Sequence, residues 1–132
     1  MPAAQSAPYL PHEIEYTRNI TLELVEQHKR AWQAKGKKLV SAILFGPLAV
    51  KEYDENINLL EIVEGYPPKG SAVIHEFEST RQFPMYGRLR LRIVSPEEFK
   101  SAVTNQSPWI ASVRDQNLIL SDTREFAKKL LR

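Results

Sequence analysis

Leu39–Val63 reads LVSAILFGPLAVKEYDENINLLEIV, and two strand-like runs in it flank a polar loop. Lys38 to Phe45 is rich in aliphatic and β-branched residues and predicts a buried strand that Gly46-Pro47 ends. Leu48 to Tyr53 predicts a loop or a single helical turn. Asn56 to Glu64 predicts a second strand. Alternation along it places Asn56, Asn58 and Leu60 on one face and Ile57, Leu59 and Glu61 on the other.

Upstream, Pro2, Pro8 and Pro11 stand among small residues, so residues 1–16 predict an extended N-terminal arm. The remaining residues, 17–132, predict one domain. A helix is expected from Thr17 or Asn19 to just before Gly36, with Ile20, Leu24, Ala31 and Trp32 approximating an apolar stripe. Downstream, Pro67-Pro68 marks a connection. Ser71 to Phe83 is open between helix and strand, because Val73, Ile74 and Phe77 suit either. Arg88 to Val94 alternates cleanly and predicts a strand. Ser95-Pro96-Glu97-Glu98 carries the residues of a capping box, and Ser107-Pro108 suggests the same device for a shorter helix. Leu118 to Leu120 predicts a short strand, and Asp122 or Thr123 is expected to cap a last helix. The fold class is therefore α/β (α+β): a small mixed β-sheet covered by helices.

The chain has 132 residues, enough to bury about two-thirds of its unfolded surface in one core. Its composition is that of a soluble globular protein: 42% hydrophobic and 26% charged. A net charge of +2, with both signs interspersed, gives no support for a nucleic-acid partner. No apolar run reaches the roughly 20 residues needed to span a bilayer, and no signal-peptide pattern opens the chain. The lack of cysteine excludes disulfides and thiolate metal sites and suits a reducing, cytoplasmic setting. His12, His28 and His75 show no ligand spacing.

The opening stretch resembles the signature of minimal nucleotidyltransferases of the DNA polymerase β superfamily. In that signature a Gly-Ser follows the first strand, and an Asp-x-Asp pair opens the second. Here the corresponding residues are Gly46-Pro47 and, in Asp54-Glu55-Asn56-Ile57-Asn58-Leu59-Leu60, Asn56 and Asn58. The order of elements from residue 17 to 121 is similar too. The resemblance places a helix between the second and third strands, which favours a helix for Ser71 to Phe83. It implies a third carboxylate on the next strand, at Arg90, or at Arg92 if the frame shifts.

In family members those carboxylates hold two divalent metals, which neutralise charge during in-line attack on a nucleoside triphosphate. Three aspartates contribute about −3 at neutral pH, whereas Asn56, Asn58 and Arg90 contribute about +1. Magnesium prefers anionic oxygen ligands, and Pro47 lacks both a hydroxyl and an N–H donor. The resemblance thus implies a nucleotidyltransferase-like pseudoenzyme, with no catalytic residues, metal or cofactor. Gly46, Pro47, Asn56, Asn58 and Arg90 are the candidate ligand-binding residues of a degenerate nucleotide site. Asn56 and Asn58 have two other readings, as plain strand polar residues or as neutral donors and acceptors toward a base or ribose. Arg88, Arg90 and Arg92 can be a solvated face or an anion site. By the same resemblance, a small helical protein, as in toxin–antitoxin pairs, or a second copy is an expected partner. The alternative is an active, magnesium-dependent transferase using a shifted site of Glu52, Asp54 and Glu61.

Overall fold

The computed structural model describes residues 11–52, 56–66, 74–77 and 88–131, with the backbone alone at 11–12 and 74–77. The described elements run α1 (Pro11–Ala34), β1 (Lys38–Phe45), a 3-10 turn (Pro47–Val50), β2 (Asn56–Glu64), β3 (Ile74–Phe77) and β4 (Arg88–Val94). They continue with α2 (Pro96–Thr104), α3 (Pro108–Asp115), β5 (Asn117–Asp122), a second 3-10 turn (Thr123–Glu125) and α4 (Phe126–Leu130). The strands form one mixed sheet in the order β3-β4-β2-β1-β5. β2 runs antiparallel to β1 and parallel to β4, and the edge strands β5 and β3 are antiparallel to their neighbours.

α1 starts at Pro11, earlier than expected, so residues 11–16 belong to the helix and not to an arm. Proline is well tolerated in a first turn, where its missing N–H has no intrahelical partner anyway, and Glu13 there favours the helix dipole. Residues 1–10 lie outside the described residues. The inward stripe is Ile14, Thr17, Thr21, Leu24 and Val25, continued by half-buried His28 and Trp32, whereas Ala31 is exposed. The helix stops at Gly36, whose φ of 74° suits glycine; Lys37 N–H donates to the Trp32 carbonyl and Gly36 N–H to that of Gln33.

Strand alternation divides the core into two layers. Leu39, Ala42 and Leu44 of β1, Ile57, Leu59 and Val63 of β2 and Leu89, Leu91 and Ile93 of β4 pack with α1. Val40, Ile43, Leu60, Ile62 and Val94 pack on the other face with Phe99, Ile110, Val113 and Ala127 from α2, α3 and α4. A register shift between Leu39 and Ser41 interrupts the period of two in β1, which is how Leu39 and Ala42, three apart, share a face. β1 ends at Gly46, whose φ of 86° and ψ of −166° are accessible essentially to glycine alone.

Two more expectations change. Ile74–Phe77 is a strand paired with β4, not a helix; its Ile74 and Phe77 are good strand formers, and β4 offers an open edge to complete. Residues 71–73 and 78–83 lie outside the described residues. Ser107 makes no side-chain cap. The third helical residue of α3 is Ile110, which cannot return a hydrogen bond as Glu98 does in α2. The capping box of α2 is complete: Ser95 Oγ accepts from Glu98 N–H at 3.1 Å, and Glu98 Oε1 accepts from Ser95 N–H at 3.4 Å.

Ser95→Ala is expected to lower the unfolding free energy by about 1 kcal/mol in urea titration. Thr17 gives the opposite expectation. Thr21 Oγ1 donates to the Thr17 carbonyl, but Thr17 Oγ1 is buried with no hydrogen-bond partner among the described residues. Thr17→Val keeps the shape and removes that unsatisfied group, so it should raise stability by about 1 kcal/mol in the same assay.

Candidate functional site

The register of β2 against β4 sets the site. Asn56 lies opposite Arg88, Asn58 opposite Arg90, and Leu60 opposite Arg92. Adjacent strands are about 4.8 Å apart, so side chains at these positions on one face are neighbours. β1 adds Phe45 directly across from Asn58. On the same face α3 brings in Trp109 and Ser112, three residues apart and so on one side of the helix. Together Phe45, Asn58, Arg90, Arg92, Trp109 and Ser112 line a cleft of about 140 Å³, room for roughly four or five waters at about 30 Å³ each.

Two arginines give the cleft its sign. The Arg92 guanidinium sits over the Trp109 ring, 4.9 Å from its centroid, a cation–π contact worth about 0.5–2 kcal/mol. Burial lowers the Arg92 pKa below its ordinary value; the nearby Arg90 charge acts in the same direction, and Glu98 opposes both. Guanidinium nevertheless stays protonated at neutral pH. The cleft is therefore lined by two guanidinium groups, an amide, a hydroxyl and the indole that Arg92 covers. That set can hold an anion next to a flat ring.

Of the five candidates, the structure brings together Asn58 and Arg90, and adds Arg92. Asn56 lies two residues further along β2 and does not line the cleft. Gly46 and Pro47 sit just past Phe45, where Gly46 N–H donates to the Gln116 carbonyl and Pro47 opens the 3-10 turn. They shape the end of β1 and do not line the cleft. Among the described residues no group of three or more His, Asp or Glu side chains could hold a metal ion. Asp54 of the shifted carboxylate site lies outside the described residues.

Glu61 is on the opposite face, as alternation along β2 requires. It is fully buried, and both its oxygens are engaged: Oε2 meets His28 Nδ1 at 2.5 Å, and Oε1 accepts from Trp32 Nε1–H at 3.0 Å. A pocket of about 190 Å³ opens beside this trio, lined also by Ala31, Lys35 and Leu91. In the sequence His28 shows no ligand spacing and Glu61 falls in the alternative shifted carboxylate site, so their pairing is missed there. A usable signal existed: a lone acid inside the apolar run INLLEIV needs a buried partner, and His28 and Trp32, four apart, present both donors on one helix face.

No protein-family model, curated protein or solved structure matches this chain.

The Glu61 pair generates a stability test. His28→Ala leaves a buried carboxylate without its main partner and should cost about 3 kcal/mol. Adding Glu61→Leu removes the stranded charge, so the double variant should be more stable than His28→Ala alone. A double-mutant cycle by urea unfolding measures this; purely additive losses would show that the two groups are not energetically linked.

Proposed function

We propose that this chain is a nucleotidyltransferase-like binding module that takes a nucleotide or phosphate ligand without a metal and transfers nothing. The observation that supports it most is the juxtaposition of Asn58 and Arg90 in one cleft with Arg92 and Trp109. By the resemblance of the Gly46 and Asn56–Leu60 segments, metal-binding carboxylates would stand at those strand positions. An arginine there replaces an attraction for cations by an attraction for phosphate. At about 4 Å and an effective dielectric near 20, one such charge pair is worth roughly 4 kcal/mol, before desolvation is subtracted. The Trp109 ring holds the Arg92 guanidinium beside Arg90, so the two cations face the cleft together. The partner class, a small helical protein or a second copy, follows from the same resemblance and belongs to the same proposal.

Thermal denaturation with ATP or GTP, in the presence of a chelator, tests the reading. Ligand at ten times its Kd stabilises by about 1.4 kcal/mol, which should raise the Tm by roughly 3–6 °C. Arg90→Ala should abolish the shift. A shift that survives Arg90→Ala, or that requires magnesium, would remove Arg90 from the role. Magnesium-dependent transfer of labelled nucleotide to an acceptor in lysate, lost on Glu52→Ala, would establish the transferase alternative instead.

A further inference from the structure

The strongest concentration of charge lies away from the Asn58 cleft. A second cleft, of about 480 Å³, opens on the same sheet face at the opposite end of β1. Lys38 marks one end of that strand and Phe45 the other, seven residues or roughly 20 Å along it. Four cations surround the opening: Lys38 of β1, Lys100 of α2, Arg124 of the second 3-10 turn and Lys129 of α4. Glu64, opposite Lys38 in the β1–β2 register, is the one carboxylate among the lining residues. The cleft thus carries a formal charge of +3, whereas the whole chain carries +2.

Its floor is apolar. Val40 is buried there, and Phe126 and Leu130 are half-buried. The Lys100 ammonium stands 5.7 Å from the centroid of the Phe126 ring, so a cation and an aromatic surface are presented together. The turn that carries Arg124 is held in an uncommon conformation. Arg124 and Glu125 are consecutive non-glycine residues with φ of 53° and 56°, a left-handed pair that costs on the order of 1–2 kcal/mol per residue. Asp122 ties it down at its base. Oδ1 of Asp122 accepts from Ser41 Oγ at 2.6 Å and from Ala127 N–H at 2.9 Å, and Oδ2 accepts from Lys128 N–H at 3.0 Å. These bonds join β1, β5 and α4 beneath the turn and keep Arg124 at the rim. Glu125 is drawn off toward Lys128, 3.3 Å away, and does not line the cleft.

We infer that this cleft binds a phosphate monoester with an apolar, ring-containing body. A concave volume of several hundred Å³ with a small apolar floor and a charged rim can hold a small anionic molecule that has an apolar part. The formal charge of +3, with Glu64 already counted, is enough to neutralise a dianion and leaves one positive charge over. Arg124 offers a planar fork to phosphate oxygens, the lysines act as point charges, and Val40, Phe126 and Leu130 receive the ring. The site is independent of the Asn58 cleft and of the reading given for it.

Calorimetric titration of the full chain with 1-naphthyl phosphate, 1-naphthol and inorganic phosphate tests this. The ester should bind at least tenfold more tightly than either fragment. Arg124→Gly and Lys129→Gln should each weaken it about fivefold or more. Glycine suits a φ of 53°, so Arg124→Gly keeps the turn, and circular dichroism verifies the fold. Arg90→Ala should leave the affinity unchanged. Equal affinity for the ester and its fragments, or no loss in both Arg124→Gly and Lys129→Gln, would overturn the site. Loss on Arg90→Ala instead would place the ester in the other cleft. Tighter binding of a glutamate-rich peptide than of the ester would overturn the ligand class.

Discussion

The pairing of β2 with β1 on one side and β4 on the other is the constraint on which the rest depends. β2 is a central strand covered on both faces, and its register decides which of its side chains meets which layer. Because side chains alternate with a period of two, a slip of one residue would exchange the faces of the whole strand. It would drive Asn56 and Asn58 under α1 and turn Glu61 away from His28 and Trp32. Leu59 and Leu60 would exchange layers at little cost, since both are apolar. The polar residues therefore carry the information that pins the register: a slip of one residue would set Leu60 or Ile62 between His28 and Trp32 and leave the half-buried Trp32 Nε1–H without its acceptor.

From this follows a division of labour between the faces. The α1 layer is built around one buried carboxylate whose needs are met internally. The other layer has a continuous apolar centre of Ile43, Leu60, Ile62, Phe99 and Ile110, with a positively charged cleft at each end. Five of the seven elements that line these clefts lie late in the chain, in or after β4. α3 delivers Trp109 to Arg92, and the Asp122 turn delivers Arg124 to the rim formed by Lys38 and Lys100. The apolar centre keeps the two clefts apart, so anion binding at one need not require the other.

Much of the architecture was legible because its signals are local. The alternation of Arg88–Val94, the capping box at Ser95, the glycine stops at Gly36 and Gly46 and the buried run of β1 each state their conformation within a few residues. α1 was expected to begin at Thr17 or Asn19, because Pro11 was read as part of a loose arm; a proline ends a helix or begins one with the same side chain, and the sequence around it does not say which. Ile74–Phe77 was expected to be helical by analogy of order. It pairs with β4 because an open sheet edge lay within reach, and propensity yields to such tertiary context. Of the candidate site, Asn58 and Arg90 were legible through their places on two strands. Gly46, Pro47 and Asn56 were placed with them by linear motif alone, and the cleft does not use them.

The sequence by itself determined the mixed α/β class, the order of strands and helices apart from Ile74–Phe77, and the faces of β2 and β4, since these follow from periodicity and turn chemistry. Only the tertiary structure decided which residues distant in the chain became neighbours. Glu61 and His28 are 33 residues apart, and Ser41 and Asp122 are 81 apart. The four cations of the second cleft come from four separate elements. Local preferences report the conformation of each segment, but long-range contacts depend on how the segments bury their apolar faces against one another. Charge is gathered or dispersed only at that step, which is why a chain whose overall +2 appeared uninformative carries two concentrated basic clefts.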